Sequence, residues 1–373
     1  MPRTSMNTGT ISLDILDSMS HGNKVFVGLS GGVDSAVSAM LLKEAGYSVT
    51  GVFIKGYEPK KGRHIPCSWR EERRDAMRVC LALNIPFLFF DLEEDYKRAV
   101  VDEVISEYRS GRTPNPDVLC NREIKFGVFW KKAKALGAHF IATGHYARVF
   151  KDSSGAFHLL EGVDKEKDQS YFLWTLGRDD LSRILFPIGH LNKGEVRQLA
   201  RKYNLPVANK KDSQGICFLG SIEMEDFLSQ YIEAKPGKVL DVNGGEIGWH
   251  KGAPYYTIGE RHGFEVVKKD SSSGPFYIVA KDVERNTLTV SDKKDEIVRF
   301  SPKRISLKNI NWINKPGEVV ARVRYRGDRL PIKADGLEVE FKEPVRGLSL
   351  GQSIVFYQGE ECLGGAIMDK IIS

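Results

Sequence analysis

Residues Gly28 to Val37 read GLSGGVDSAV. They follow KVFVGLS (24–30), a short apolar run of the buried-strand type, and they open VDSAVSAMLLKEAG (33–46), which has helical periodicity and ends on Gly46, a residue suited to a C-cap. A glycine-rich turn between a strand and a helix gathers backbone N–H groups and a helix N-terminus at one point, which favours an anion. Gly31 and Gly32 let the backbone approach a ligand with no Cβ in the way, Ser30 and Ser35 add hydroxyl donors, and Asp34 is a carboxylate of the kind that holds Mg2+. The spacing is not G-x-x-x-x-G-K-[ST], so the common P-loop is excluded.

Outward from this turn, strand-like and helix-like segments alternate. SVTGVFI (48–54), PFLFF (86–90) and AHFIAT (138–143) read as strands, and 69–83, 93–107 and 121–137 as helices. This rhythm predicts a parallel sheet covered by helices, with ligands beyond the carboxyl ends of the strands. After about residue 222 the pattern changes to short alternating runs broken by Gly, Asn, Asp and Pro. VVARVRYRG (319–327), GLEVEFKEP (336–344) and QSIVFYQG (352–359) have the period of two that marks strands, and Asn243-Gly244 signals a hairpin. The division expected is a tail at 1–23, a nucleotide-binding α/β domain at 24–221, a central β-rich domain at 222–284 and a C-terminal β-barrel at 285–373.

Composition sets outer bounds. The 373 residues are 41% hydrophobic and 28% charged, with a net charge of +6, a mild basic bias compatible with a polyanionic partner. No run approaches the roughly 18 apolar residues that span a bilayer, and residues 1–23 lack a leader pattern, so a cytoplasmic location is expected. Five scattered cysteines with no C-x-x-C pair argue against a disulfide scaffold or a zinc site.

Two of those cysteines stand apart. Cys120 ends the Pro-rich stretch GRTPNPDVLCNREIKF (111–126), read as a loop running into the helix 121–137. A thiol just ahead of a helix has its pKa lowered, and Asp117, three residues earlier, is placed to relay a proton. Cys217 lies in KKDSQGICFLG (210–220), beside Lys210 and Lys211, whose charge also favours thiolate. Cys67, Cys80 and Cys362 are expected to be buried hydrophobes, Cys80 in a helical stripe with Met77 and Leu81. His145 reads as a packed structural histidine.

SGGVDS resembles the SGGxDS signature of the ATP pyrophosphatase, or PP-loop, superfamily, whose enzymes transfer AMP onto a substrate oxygen. TPNPDVLCNREIKF, ATGHYAR, KDQSYFL, DSQGICF and LGQSIVFYQGEECLGG follow it in order. Together, from Lys24 to the C-terminus, these motifs resemble the tRNA-specific 2-thiouridylase family. The resemblance implies a PP-loop (adenine nucleotide alpha hydrolase-like) domain followed by a linking domain and a barrel. It implies ATP binding by Gly28, Leu29, Ser30, Gly31, Gly32, Val33, Asp34 and Ser35, with Ile54 beside the adenine and Gly144 lining the site. Asn115, Pro116 and Asp117 would contact the target uracil. Lys167, Asp168, Gln169, Arg324 and Tyr325 would touch tRNA. Lys131, Lys132, Lys134, Arg322 and Arg326 are further candidates for phosphate contact.

The reaction so implied adenylates uracil O2 and replaces it with sulfur from a persulfide on Cys217. Cys120 attacks that persulfide, giving a Cys120–Cys217 disulfide, or the persulfide attacks directly. ATP, Mg2+, tRNAs for Lys, Glu and Gln, and a persulfide donor (a cysteine desulfurase or a sulfur relay protein) are the implied partners of a monomer. Two other readings are another PP-loop adenylating enzyme and a non-catalytic RNA-binding protein.

Overall fold

The computed structural model describes residues 22–58, 68–211, 223–233, 235–267, 274–314 and 319–372. Cys67, Cys217 and nearly all of the 1–23 tail lie outside them.

The first domain is built on a parallel sheet. Its strands are β1 (Lys24–Gly28), β2 (Ser48–Lys55), β3 (Phe87–Asp91), β4 (Phe140–Ala142) and, further along the chain, β7 (Ile184–Leu185), in the order β3-β2-β1-β4-β7. Alternate residues of β1 enter opposite cores. Val25 and Val27 pack with the helices Val33–Glu44, Ser68–Leu83 and Lys193–Lys202, whereas Phe26 packs with Phe126, Phe129 and Ala133 beneath the helical run that ends at Ala135. A strand buried on both faces reads as an unbroken apolar run, as KVFVG does. The chain winds outward both ways from β1, to β2 on one side and β4 on the other. The loops after β1 and β4 therefore face each other at the point where the strand order reverses, the usual ligand crevice of such sheets.

Two helices differ from the expectation. In Ser68–Leu83 the inward side carries Ala76, Val79, Cys80 and Leu83, while Met77 and Leu81 are 44% and 82% exposed and so lie outside the core. The stretch expected to be a loop before a helix at 121 is already helical at Pro116–Leu119 and continues as a π-helix over Cys120–Val128 into Phe129–Ala135. Asn115 caps it, its Oδ1 accepting from Val118 N at 3.3 Å. Pro116 occupies the first helical position, where a missing N–H costs nothing.

The central sheet has strands β8 (Gly237–Leu240), β9 (Glu246–His250), β10 (Phe264–Val266), β11 (Tyr277–Asp282) and β12 (Thr287–Ser291) in the order β10-β9-β8-β12-β11. The hairpin signalled by Asn243-Gly244 joins β8 and β9. The expected boundary at 284/285 would split the β11–β12 hairpin. Instead β12 sits between β8 and β11, and Leu288 and Val290 are buried in the central core. The C-terminal strands β13 (Arg304–Trp312), β14 (Val320–Arg322), β15 (Leu330–Asp335), β16 (Glu338–Phe341), β17 (Ser353–Gln358) and β18 (Glu361–Ile372) close a six-stranded barrel through β13–β18 pairing. The alternation over 319–327 stops at Arg322 as a strand, and Arg326 has φ 58°.

One connection crosses domains. The hairpin of β5 (Ala147–Lys151) and β6 (Phe157–Glu161) leaves the parallel sheet, and β6 adds to β18 with Leu159 opposite Cys362. Glu161, 2% exposed at its side chain, sits at this seam with Arg322, Arg329 and Lys165 as counter-ions at 2.9, 2.6 and 3.0 Å.

Candidate functional site: a phosphate loop beside a buried thiol

The turn after β1 is held by its own side chains. Leu29 N donates to Val52 O at 2.8 Å, fixing the turn to β2. Ser30 N donates to Ser35 Oγ at 3.2 Å, Gly32 N to Ser30 Oγ at 3.3 Å, and Ser35 Oγ to Gly32 O at 3.2 Å. Gly31 has φ +74°, and a Cβ there would lie 2.4 Å from Glu72 O, so only glycine fits. Gly144, after β4, packs on the opening of the helix Val33–Glu44. A Cβ on it would lie 2.7 Å from Ser35 N. The candidates from Gly28 to Ser35 and Gly144 thus lie together at the sheet's switch point, with the side chains of Leu29 and Val33 turned into the core.

Asp34 is the charged centre of that surface. Lys193 Nζ donates to its two carboxylate oxygens at 2.8 and 2.9 Å, and Tyr146 OH donates to Oδ1 at 2.9 Å. Gln169 Oε1 in turn accepts from Tyr146 N at 3.1 Å. Lys193 is the first residue of the helix Lys193–Lys202, capped by Asn192 and Glu195. A cation at a helix N-terminus opposes the helix dipole, a local conflict that marks functional positions. A second lysine, Lys210, donates to Gly31 O at 3.1 Å and to Asp75 Oδ2 at 2.7 Å. Burial raises the pKa of nearby Glu72, a shift that Lys210 opposes. Lys193 and Tyr146 were missed as site residues because their partner Asp34 is 159 and 112 positions away.

Asp34 is the counter-ion of Lys193, and among the described residues no group of three or more metal-ligating side chains occurs. A Mg2+ at Asp34 would therefore take its other ligands from a bound phosphate and water. The glycine-rich turn, the helix N-terminus it opens and the ammonium groups of Lys193 and Lys210 beside it are elements that favour an anion.

Cys120 is not at a helix N-terminus. It is the fifth residue of the run that starts at Pro116, and its N–H donates back to Pro116 O and Asp117 O. The dipole effect fades beyond the first turn, so the expectation of a thiol just ahead of a helix does not hold here. Instead Cys120 is 3% exposed, in a cluster with Leu119, Ile124, Phe227, Leu228 and Ile232. Asp117, three residues before it, shares its helix face and is half-buried. Ile54, at the end of β2, packs against the same cluster and against the one around Phe126 and Phe129. Lys210 on the phosphate loop and Phe227 in the Cys120 cluster flank in sequence the stretch that carries Cys217, which itself lies outside the described residues.

The remaining cysteines behave as core. Burial pushes the Cys80 thiol up to about 11 and that of Cys362 higher still. His145 is buried between the rings of Phe126 and Phe186, with Nδ1 2.7 Å from Thr143 Oγ1, and burial holds its pKa well below the ordinary value. It is therefore a neutral packing residue.

The tRNA-contact candidates divide. Asp168 is 4% exposed and accepts from Gly162 N, Ser170 N and Ser170 Oγ, with Arg322 at 3.5 Å. Gln169 is committed to Tyr146. Asp168 thus faces inward, Gln169 is half-buried, and Arg322 pairs with Glu161 and Asp168. Lys167 stays near the surface. Tyr325 lies against Phe172 with ring centroids 4.5 Å apart, under the Arg326 guanidinium at 5.0 Å. Arg324 is exposed, with Nη2 donating to the carbonyls of Arg346 and Gly347 at 2.8 and 2.6 Å. Lys131, Lys132 and Lys134 are exposed on one helix.

A glycine-rich anion loop at the switch point of a parallel sheet, built on SGGVDS, defines a PP-loop nucleotide-binding domain. Three family profiles tile the chain: a "tRNA methyl transferase HUP domain" over residues 23–221, a "tRNA methyl transferase PRC-barrel domain" over 225–292 and an "Aminomethyltransferase beta-barrel domain" over 302–368. Among curated relatives, tRNA-specific 2-thiouridylase MnmA 2 of Geobacillus kaustophilus is 43% identical, covering 94% of this chain and 96% of its own. The MnmA protein of Pseudomonas syringae is 45% identical (95% and 96%) and that of Bacillus subtilis 44% identical (93% and 95%). The chain belongs to the tRNA-specific 2-thiouridylase family.

Proposed function

We propose that this protein makes 2-thiouridine at the wobble position of tRNA, consuming ATP. The relatives' names supply the reaction class, and the site supplies a chemistry consistent with it. The triphosphate binds over the amides of Ser30 to Ser35, and Lys193 exchanges Asp34 for phosphate oxygens. Uracil O2, presented by Asn115, Pro116 and Asp117, attacks the α-phosphorus, and the bond to pyrophosphate breaks. Lys193 and the helix N-terminus offset the charge that builds on the leaving pyrophosphate. The base is now an O-adenylate with AMP as leaving group.

Sulfur follows. A persulfide on Cys217 is attacked at its inner sulfur by the Cys120 thiolate. The S–S bond to the outer sulfur breaks, hydrosulfide leaves, and a Cys120–Cys217 disulfide forms. Hydrosulfide adds to C2 and AMP departs with the former O2. The disulfide is reduced by an external thiol before the next cycle. Asp117, on the face shared with Cys120, is the proton acceptor for that thiol. The persulfide donor is a cysteine desulfurase or a relay protein, and the tRNAs are those for Lys, Glu and Gln.

The observation that supports this most is the packing of Ile54 against the Cys120 cluster. A nucleotide seated on the loop after β1, with adenine at the end of β2, would lie against the apolar cluster that holds that thiol. The test is nucleoside mass spectrometry of unmodified tRNA incubated with the protein, ATP, a cysteine desulfurase and cysteine. Cys120→Ser and Cys217→Ser should each abolish 2-thiouridine while leaving ATP affinity intact. Full thiolation by both variants would refute the sulfur route.

A further inference from the structure

Asn115, Pro116 and Asp117 need a fixed place relative to the bound tRNA, and the residues just before them show what fixes it. Arg112 spans two domains with one guanidinium. Its Nε donates to Glu107 Oε2 at 2.8 Å on the helix Asp102–Arg109 of its own domain. Its Nη1 donates to Asp369 O at 2.9 Å, with the Asp369 carboxylate 3.4 Å away, and its Nη2 donates to Met368 O at 3.1 Å. Both acceptors belong to β18 of the barrel. The side chain is only 17% exposed, so these bonds are shielded from water.

The next residues continue the pattern. Thr113 N donates to Leu350 O at 2.8 Å, and Gln352 Nε2 donates to the carbonyls of Thr113 and Pro114 at 3.0 and 3.1 Å. Thr113 Oγ1 reaches Thr257 Oγ1 of the central domain at 3.4 Å, and Ser349 Oγ donates to Ile258 O at 3.3 Å. Three domains therefore meet on residues 112–114: Arg112 N still donates to Glu107 O of the first domain at 2.9 Å, whereas the backbone groups of Thr113 and Pro114 bond to the barrel. Immediately afterwards Asn115 caps the helix that carries Asp117 and Cys120.

We propose that Arg112 is a positioning residue for the target base: it ties the Asn115–Asp117 segment to barrel strand β18, so that the domain gripping tRNA also sets where the uracil is presented. The inference rests on the base-presenting role given to Asn115–Asp117 above. A planar fork that donates in three directions cannot be replaced by a single ammonium, so lysine keeps the charge and loses the geometry. A displacement of about 1 Å at a reacting centre costs on the order of 100-fold in rate.

The experiment compares wild type, Arg112→Lys and Arg112→Ala in single-turnover thiolation, with tRNA affinity by filter binding, ATP affinity and thermal unfolding measured alongside. Arg112→Lys guards against the case in which the alanine variant fails to fold. The expected result is a fall in the single-turnover rate of about 10- to 100-fold for Arg112→Lys, with tRNA and ATP affinities within about twofold of wild type. A folded Arg112→Lys variant that reacts at the wild-type rate would overturn the proposal. So would a loss that appears equally in tRNA affinity, because Arg112 would then be a binding residue. Asp117→Asn and Cys120→Ser run in the same assay separate the two levels: if both remain active, the base-presenting reading has failed. If both are dead while Arg112→Lys is unimpaired, only the positioning role has.

Discussion

Lys193 Nζ lies 2.8 and 2.9 Å from the two carboxylate oxygens of Asp34, across 159 positions of sequence. The pair joins the first turn of the phosphate-loop helix to the first residue of another helix. It neutralises a carboxylate in a place built to receive anions and holds a cation ready there.

Replacing Lys193 with methionine should keep the packing of the aliphatic stem and remove the cation. The expected outcome is a drop of about 100- to 1,000-fold in tRNA-dependent pyrophosphate release, the scale of losing one transition-state charge partner. Thermal stability should change little, since the pair is partly exposed, with side chains 15% and 31% accessible. Pyrophosphate release within a few-fold of wild type would remove Lys193 from the chemistry.

Cysteine chemistry should follow burial. With its thiol pushed up to about 11 by burial, Cys80 is thiolate to roughly one part in a thousand at pH 8. It and Cys362 should stay unmodified when the native protein meets iodoacetamide, as read by peptide mass spectrometry. Cys120, 3% exposed in its apolar cluster, should also be protected until tRNA and ATP are added, and then label. Turnover with Cys120 protected throughout would show that this thiol does not take part.

The seam between the first domain and the barrel should respond to pH through His158. Its Nδ1 and Nε2 lie 2.8 and 3.1 Å from Glu361 and Asp152, and Asn314 Nδ2 is 3.1 Å from Nδ1. Burial opposes the charged ring, but the bonds to Glu361 and Asp152 outweigh it, and the pKa is raised above 6.5. A raised folded-state pKa means that the protonated form is stabilised by folding. The contribution is therefore complete below about pH 6.5 and disappears as pH rises through the folded value. The difference in Tm between wild type and His158→Gln should accordingly shrink between pH 6 and pH 9. A constant difference would exclude the linkage.

Much of this was legible from local signals. SGGVDS between an apolar run and a helical period located the phosphate loop, and the β-α alternation and later period of two located the parallel sheet and the barrel. What failed were inferences whose answer lay outside the local window. Pro116 was read as a breaker because Pro-rich stretches usually are loops, whereas it starts a helix and carries Cys120 away from the helix end. Asp168 lies in a polar stretch but is 4% exposed, closing a loop through Gly162 and Ser170. Lys193 and Arg112 are charged residues in ordinary helical or loop settings, and their partners are supplied by the tertiary fold. The β11–β12 hairpin was cut in two because its pairing with β8 spans about fifty positions.

The addition of β6 to β18 has a practical corollary for anyone dissecting the chain. Removing the last 70 or so residues would expose the backbone edge of β6 and strip Glu161 of Arg322 and Arg329, leaving a sheltered carboxylate with Lys165 alone. A fragment ending before the barrel should be poorly soluble, whatever its ability to hold ATP.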